Sequence, residues 1–206
     1  TSLPNVMRTD GLFGPLVIRG ASPESNGYFI DSIPLYNPMH FGGIHSVINN
    51  NLMHEVDLYA SSFPSTFGNA TGAIININTL DEVKEFGGYA DMGLISSAAL
   101  VKKPITETYL DENGAEKKRN KGYVIVSGRL GYISVFFRAF EAAYELFGKD
   151  IPAQLPYYGD YQLKVKYALT DRTSLTFLAF GSYDYIDLTL PESALSPGDD
   201  PIWAKA

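Results

Sequence analysis

The three histidines come nearest to a set of residues able to do chemistry in this chain. His40, His45 and His54 would suit a metal ion if they stood at ligand spacing beside a carboxylate, as in a His-Glu-x-x-His motif. No such motif is present, and the absence of cysteine removes thiolate ligands as well. We therefore expect packed or surface imidazoles, with no metal site and no cofactor.

Motifs of nucleophilic and phosphate chemistry are also missing. Serine, histidine and aspartate all occur, but no Gly-x-Ser-x-Gly elbow is found. Gly42-Gly43 lacks the lysine and the strand-to-helix pattern of a phosphate loop. The sequence therefore predicts that the protein is not an enzyme.

Composition favours strands and turns over helices. The chain has 206 residues with 14 Tyr, 12 Phe, 19 Gly and 12 Pro. A net charge of −7, without a basic stripe, argues against a nucleic-acid partner. No apolar run approaches the roughly 20 residues of a membrane-spanning helix. The start at Thr1, without a signal peptide, suggests a processed or truncated product.

The stretch 63–79 divides the chain into two parts of different character. A turn rich in Gly and Asn leads into the β-rich run 73–79. Before it, short strands are predicted at 14–20, 28–31 and 53–59. Asn26-Gly27 between the first two indicates a hairpin, and residues 40–48 read as a loop with a helical turn. The part before residue 80 thus reads as a compact mixed domain.

Five segments in this first part occur in the order and at the spacing of a known family. They are Leu3-Pro4-Asn5-Val6, Ile18-Arg19-Gly20, the run 28–35 (YFIDSIPL), the run 53–59 (MHEVDLY) and the run 67–79 (FGNATGAIININT). Together they resemble the plug domain of TonB-dependent outer-membrane receptors. The chain departs from the family at Asn5, Ser32 and Ala73, where glycine is frequent, and at Ser61-Ser62, where a glycine pair is frequent.

The resemblance implies an α+β plug domain at 1–80, with its N-terminal part missing. Residues 81–206 would be the first antiparallel strands of a transmembrane β-barrel, which has about 22 strands in plugged transporters. The implied function is TonB-dependent transport across the outer membrane of a Gram-negative-type bacterium. The implied partners are the TonB energy-transducing complex, outer-membrane lipid and an unknown small-molecule or peptide ligand.

The second half offers a test of its own, since a barrel strand needs one apolar and one polar face. In 160–169, Tyr161, Leu163, Val165, Tyr167 and Leu169 alternate with polar Asp160, Gln162, Lys164 and Lys166. In 122–134, Val124, Val126, Leu130 and Tyr132 oppose Ser127 and Arg129. A further strand is predicted at 173–188, and a short helix within 139–147.

Loop lengths fix the strand directions, because short turns of such barrels lie on the periplasmic side. The short turn 170–172 makes 157–169 an inward strand, so 122–137 runs outward. The plug ends on the periplasmic side, so the first barrel strand must also run outward, and an inward strand must lie between it and 122–137. Two strands are therefore predicted in 83–104, roughly 83–92 and 96–103, with a tight turn near Gly93. The polar segment 106–121 would be a long periplasmic turn. The alternative is a single strand across 84–102 with reversed directions.

The resemblance also implies site residues. Arg19 would anchor the plug to the barrel, with Glu55 or Asp57 as its partner, although a solvated turn arginine is the plainer interpretation. The expected ligand-facing residues are Tyr36, His40, His45, Phe63 and Phe67, all in or near the apical loops of the plug.

Two other interpretations remain open at this stage. One is a passive barrel or surface adhesin that keeps a plug-like domain without energised transport. The other is a soluble β-rich binding protein, which would need no detergent for extraction.

Overall fold

The structure is a computed structural model that describes residues 6–10, 13–41, 43, 45–132 and 157–185. Within those ranges the chain forms thirteen strands and one three-residue 3-10 turn, Pro23–Ser25. The strands are β1 Val6–Asp10, β2 Phe13–Ile18, β3 Gly27–Ile30, β4 Ile33–Pro34, β5 Met39–His40, β6 His45–Ser46, β7 Met53–Tyr59, β8 Ile74–Thr79, β9 Gly87–Met92, β10 Ser96–Leu110, β11 Glu116–Gly131, β12 Tyr157–Thr170 and β13 Thr173–Tyr185.

Two units are built from these strands. The first, called the small unit, comprises β1 to β8, with a sheet in the order β4-β3-β8-β7 and two separate hairpins, β1-β2 and β5-β6. The second, called the long sheet, has the order β13-β12-β11-β10-β9. All its neighbours are antiparallel and consecutive along the chain. It is open, with β9 and β13 as its edges, so the described strands do not close a barrel.

The predicted α+β character is wrong for the described part of the chain, which is nearly all β and contains no α-helix. The helical turn expected within 40–48 is instead the β5-β6 hairpin followed by asparagine-stabilised turns. Asn49 Oδ1 accepts a hydrogen bond from the Asn51 amide at 2.9 Å. Such side-chain bonds satisfy the backbone locally and compete with a helix. The helix predicted within 139–147 lies outside the described residues.

The hairpin predicted at Asn26-Gly27 is also wrong. β2 pairs with β1, whereas β3 pairs in parallel with β8. Asn26 acts as a bridge instead of a turn: its Nδ2 donates to the Leu16 carbonyl at 2.9 Å, and its Oδ1 accepts from the Ala73 amide at 3.2 Å. A residue type that favours turns thus joins three distant segments, which sequence spacing does not reveal.

β8 is the central strand of the small unit. It lies between β3 and β7, and five of its six residues are buried. Asn76 and Asn78 bond within the sheet. Their amide nitrogens donate to Asp57 Oδ2 at 3.4 and 2.7 Å, and Asn76 Nδ2 also donates to Asn78 Oδ1.

The prediction of two strands after residue 83 is confirmed by β9 and β10, which pair across a turn at Gly93. The long turn predicted for 106–121 is wrong, because β10 and β11 continue as a ribbon to a turn at 111–115. Oppositely charged side chains sustain this ribbon: Glu107 lies across from Arg119, whose Nε donates to it at 2.9 Å. Cross-strand ion pairs of this kind support strands that have no apolar face.

One apolar cluster joins the two units. From the small unit it contains Ile30, Leu35, Val47, Ile48, Leu52 and Ile77, from the connection after β8 it contains Val83, and from the long sheet Leu100, Tyr123 and Ile125. The small unit therefore packs on one face of the long sheet, here called the inner face. The opposite face is called the outer face.

Candidate functional site: the contact between the small unit and the long sheet

The inner face of the long sheet carries polar side chains, and the small unit covers them. Side chains on a strand alternate between faces, so one run of alternate residues on β12 meets the small unit. Its members are Tyr158, Asp160, Gln162 and Lys164, which are all buried, and Lys166, which is half-buried. Buried charges persist in proteins when they are paired and hydrogen-bonded, and each of these side chains has such a partner.

At one end of this contact, His40 from β5 lies between two carboxylates. Its Nε2 is 3.2 Å from Asp160 Oδ2, and its Nδ1 contacts Asp184 Oδ1 on β13. The imidazole is fully buried and its ring also packs against Tyr158. The amide of Phe41 donates to the second oxygen of Asp184 at 2.9 Å. The β5-β6 hairpin is thereby tied to two strands of the long sheet.

Arg129 on β11 extends this cluster. Its Nε is 3.5 Å from Asp160 Oδ2, and its Nη1 and Nη2 donate to the carbonyls of Ser46 and Ile48 at 2.8 and 3.3 Å. Gln162 Nε2 donates to the intervening Val47 carbonyl at 2.8 Å. Three successive carbonyls of the small unit are therefore bound by side chains of the long sheet.

Two lysines of β12 form the other end of the contact. Lys164 Nζ lies 2.9 Å from Asp31 Oδ2 and donates to Thr79 Oγ1 at 2.7 Å. Lys166 Nζ lies 2.7 Å from Asp81 Oδ1. The hydrogen bond from Lys166 lowers the pKa of the Asp81 carboxyl from its ordinary value of 3.8. Asp31, which fits turn chemistry by its sequence, has a φ of 46° at the end of β3 and becomes an ion-pair partner.

The outer face of the long sheet has the reverse character, because its apolar side chains are exposed. Those at least half exposed include Val126 and Leu130 on β11, Tyr161 and Leu169 on β12, and Leu175, Phe177, Tyr183 and Tyr185 on β13. Tyr161 lies over Gly181, and Tyr183 lies over Gly159. The alternation predicted for 160–169 and 122–134 is confirmed over the described residues, with the polar set buried or half-buried and the apolar set exposed or half-buried.

Two adjoining grooves lie on the small unit. One of about 530 Å³ is lined by residues that include Tyr28, Tyr36 and Asn69. The other, of about 460 Å³, shares Tyr28 and Tyr36 and reaches Asp184 on β13. Tyr36 is 89% exposed. Both linings include Glu24, and neither includes a lysine or an arginine.

Among the residues predicted to face a ligand, Tyr36 is the one that lines these grooves. His40 is buried between its carboxylates, and Phe67 is buried with its ring edge-on to Phe29, at 4.8 Å between centroids. Phe63 is partly buried and packs against the cluster formed by Phe29, Phe67 and Ile74. These positions follow from packing of the small unit.

His45 is half-buried and lies 3.3 Å from the Tyr158 hydroxyl through its Nδ1. Burial lowers the pKa of His45 from 6.5, and the positive charge of Arg129 acts in the same direction. A neutral imidazole can accept a hydrogen bond from the Tyr158 hydroxyl. His45 is thus a neutral neighbour of the charged cluster around His40.

The three predicted anchoring residues do not bind the long sheet in the described part of the chain. Arg19 is exposed, has a φ of 53° and donates to the Ala60 carbonyl at 3.5 Å. Asp57 accepts from Asn76 and Asn78, and Glu55 is exposed on β7. No hydrogen bond or ion pair joins these three side chains to the described residues of the long sheet. The plainer interpretation of Arg19, a turn arginine, fits its position.

Sequence reasoning missed the residues that do connect the two units. The polar faces containing Asp160, Lys164 and Arg129 were visible as alternation along the strands. Their partners His40 and Asp31 were not, because the pairs are separated by 120 and by 133 residues of chain. A buried lysine or arginine on a strand of alternating polarity is the signal that such a partner must exist.

Neither a metal site nor a membrane-crossing helix is found in the part of the chain that the structure describes. No group of three His, Asp or Glu side chains there has the arrangement to hold a metal ion. No helix there is long and apolar enough to cross a membrane. No family model, curated protein or solved structure matches this chain.

Proposed function

We propose that this chain belongs to an outer-membrane transporter of the TonB-dependent kind, which takes up a scarce nutrient. In this proposal the long sheet is a lipid-facing wall, and the small unit is the plug that fills the space behind it. Ligand would bind on the side of the small unit that carries the two grooves. Energy supplied through TonB would then rearrange the small unit and let the ligand pass.

The observation that carries the proposal is the reversed polarity of the long sheet. A sheet of a water-soluble protein buries its apolar face and exposes its polar one. Here Asp160, Lys164 and Arg129 are buried, while Val126 and Leu130 are more than half exposed. Lipid is the environment in which an exposed apolar face and a covered polar face are both favourable.

Strand length supports the same assignment. A membrane-crossing β-strand needs about 9–11 residues when it is tilted by roughly 45°. β12 has 14 residues and β13 has 13. Along β12 the outer face begins with Tyr157 and Tyr161 and carries Tyr167 toward its other end, which fits the aromatic girdles of such walls.

The energised character of the transport is supported by the resemblance of 3–79 to plug domains, and by the contact itself. Hydrogen bonds and ion pairs hold the small unit together with one apolar cluster, and the polar contacts can be exchanged for water when the unit moves. A unit held only by apolar burial would have to expose that surface to water.

The membrane assignment is tested by labelling adjacent residues of β11 in the full-length protein. The chain contains no cysteine, so Val126→Cys and Ser127→Cys each supply a single thiol in it. Carrying an environment-sensitive probe, Val126→Cys should be quenched by brominated lipid, and Ser127→Cys on the inner face should not. Equal quenching at both positions, or none at either, would contradict a lipid-facing wall.

Energised uptake needs a separate experiment. Cells expressing the full-length protein are offered labelled ferric chelates, cobalamin, oligosaccharides and peptides, with and without a proton uncoupler. Uptake of one class that stops with the uncoupler, and in a strain lacking TonB, supports the proposal. Uptake that continues in both cases would identify a passive barrel.

A further inference from the structure

The surroundings of His40 bear on its protonation state. Its two ring nitrogens face carboxylates from different strands, Asp160 on β12 and Asp184 on β13. A neutral imidazole carries a single N–H and can donate to one acceptor only. Hydrogen bonds to both carboxylates therefore require either a doubly protonated ring or a protonated carboxyl group.

The carboxylates have other donors that favour their ionised forms. Asp160 Oδ1 accepts from Gln162 Nε2 at 2.9 Å, and its Oδ2 lies 3.5 Å from Arg129 Nε. Asp184 Oδ2 accepts from the Phe41 amide at 2.9 Å. Hydrogen bonds donated to a carboxylate stabilise its charged form. The extra proton therefore belongs on His40.

We infer that His40 is an imidazolium that latches the β5-β6 hairpin onto the long sheet, and that loss of its proton or of either carboxylate releases the hairpin. The latch lies beside the groove that reaches Asp184, so its opening would widen the space between the small unit and β13. The inference concerns how the two units are attached, and it stands whether or not the protein is a transporter.

The other titratable groups around His40 come from three strands of the long sheet and from the hairpin itself. Arg129 on β11 shares the Asp160 carboxylate with the ring, and Asp184 on β13 contacts its other nitrogen. Tyr158 on β12 packs against the ring. His45 is paired with His40 in the hairpin. Its pKa is lowered, so it becomes protonated at a lower pH than an ordinary histidine. His45 therefore has to be removed before a pH effect is assigned to His40.

The experiment measures hydrogen exchange of the full-length protein in detergent, in a His45→Gln background. The reporters are two amides of the latched region: Phe41, which donates to Asp184, and Val47, which donates to the Pro38 carbonyl. When the pH is raised until the ring loses its extra proton, their protection factors should fall. His40→Gln should lower the protection roughly tenfold or more at the acid end, as expected for loss of charged hydrogen bonds, and abolish the pH dependence.

Matched variants separate the latch from a general loss of fold. His54→Gln changes an exposed histidine on β7 and should leave both amides unaffected. Amides of the β10-β11 ribbon report whether the long sheet remains folded. Asp184→Asn weakens the latch without altering the buried ring and should lower the same protection. Unchanged protection in both His40→Gln and Asp184→Asn, or protection independent of pH with His40 present, overturns the inference.

Discussion

Arg129 gives the sharpest test of how the small unit is held. It is 4% exposed, and its guanidinium contacts Asp160 and the carbonyls of Ser46 and Ile48. Arg129→Ala would leave a buried carboxylate short of a charge partner and two buried carbonyls without donors. Breaking a buried ion pair by removing one partner costs about 3–5 kcal/mol. The two carbonyl bonds belong to the same loss and are not added to it.

Hydrogen exchange can measure this loss of stability at an amide next to the contacts that are lost. The Leu52 amide donates to the Asn49 carbonyl at 2.9 Å, just after the carbonyls that Arg129 binds. Under conditions in which exchange reports the opening equilibrium, its protection gives a local free energy of opening. Arg129→Ala should lower that free energy by about 3 kcal/mol or more.

Two further variants make the measurement decisive. Arg172→Ala removes an exposed arginine in the β12-β13 turn and should change nothing at Leu52. Arg129→Lys keeps a charge for Asp160 but loses the planar fork that reaches both carbonyls, so it should restore part of the loss. A change below about 1 kcal/mol for Arg129→Ala, the value of an exposed ion pair, would refute the reasoning.

Three other perturbations test the contact and the outer face. Lys164→Ala leaves Asp31 without its cation at the other end of the interface and should destabilise the small unit by about 3 kcal/mol, measured as guanidinium unfolding in detergent; an unchanged midpoint would contradict this. Asp81 has a pKa held below 3.8 by Lys166, so its contribution is complete above pH 3.8 and lost as pH falls through the lowered value. Acid unfolding should therefore be steeper for the wild type than for Asp81→Asn, and parallel curves would argue against the pair. Val126→Asp places a charge on the outer face and should reduce the membrane-inserted fraction, which fractionation detects, whereas Val126→Leu should insert normally.

The sequence predicts strands better than it predicts the partners of their residues. The alternation in 160–169 identifies β12 and its two faces, because one face must differ from the other in whatever covers it. The alternation does not identify the residues that cover each face, since His40 lies 120 residues away from Asp160 in the sequence. Arg19 illustrates the converse: a resemblance assigns it an anchoring role, while a φ of 53° and an exposed position leave it at a turn.

Two errors have a common physical origin. Residues 106–121 read as a turn because they are polar, and 40–48 read partly as helix because no alternation is visible. In both places strands form without an apolar face, through cross-strand ion pairs such as Glu107 with Arg119, or through a two-residue pairing as in β5-β6. Hydrophobic periodicity cannot detect strands whose stability comes from pairs across the sheet.

The charges of the contact also fix the position of the small unit along β12. At one end Asp31 of the small unit and Asp81, which follows β8, face the lysines of β12; at the other end His40 faces Asp160. Asp160 and Lys164 are four residues apart, or roughly 13 Å along a strand. A displacement of the small unit by that distance would bring Asp31 opposite Asp160, where like charges repel in a site of low dielectric constant. A displacement of the small unit by four residues toward Asp160 is therefore opposed by charge repulsion.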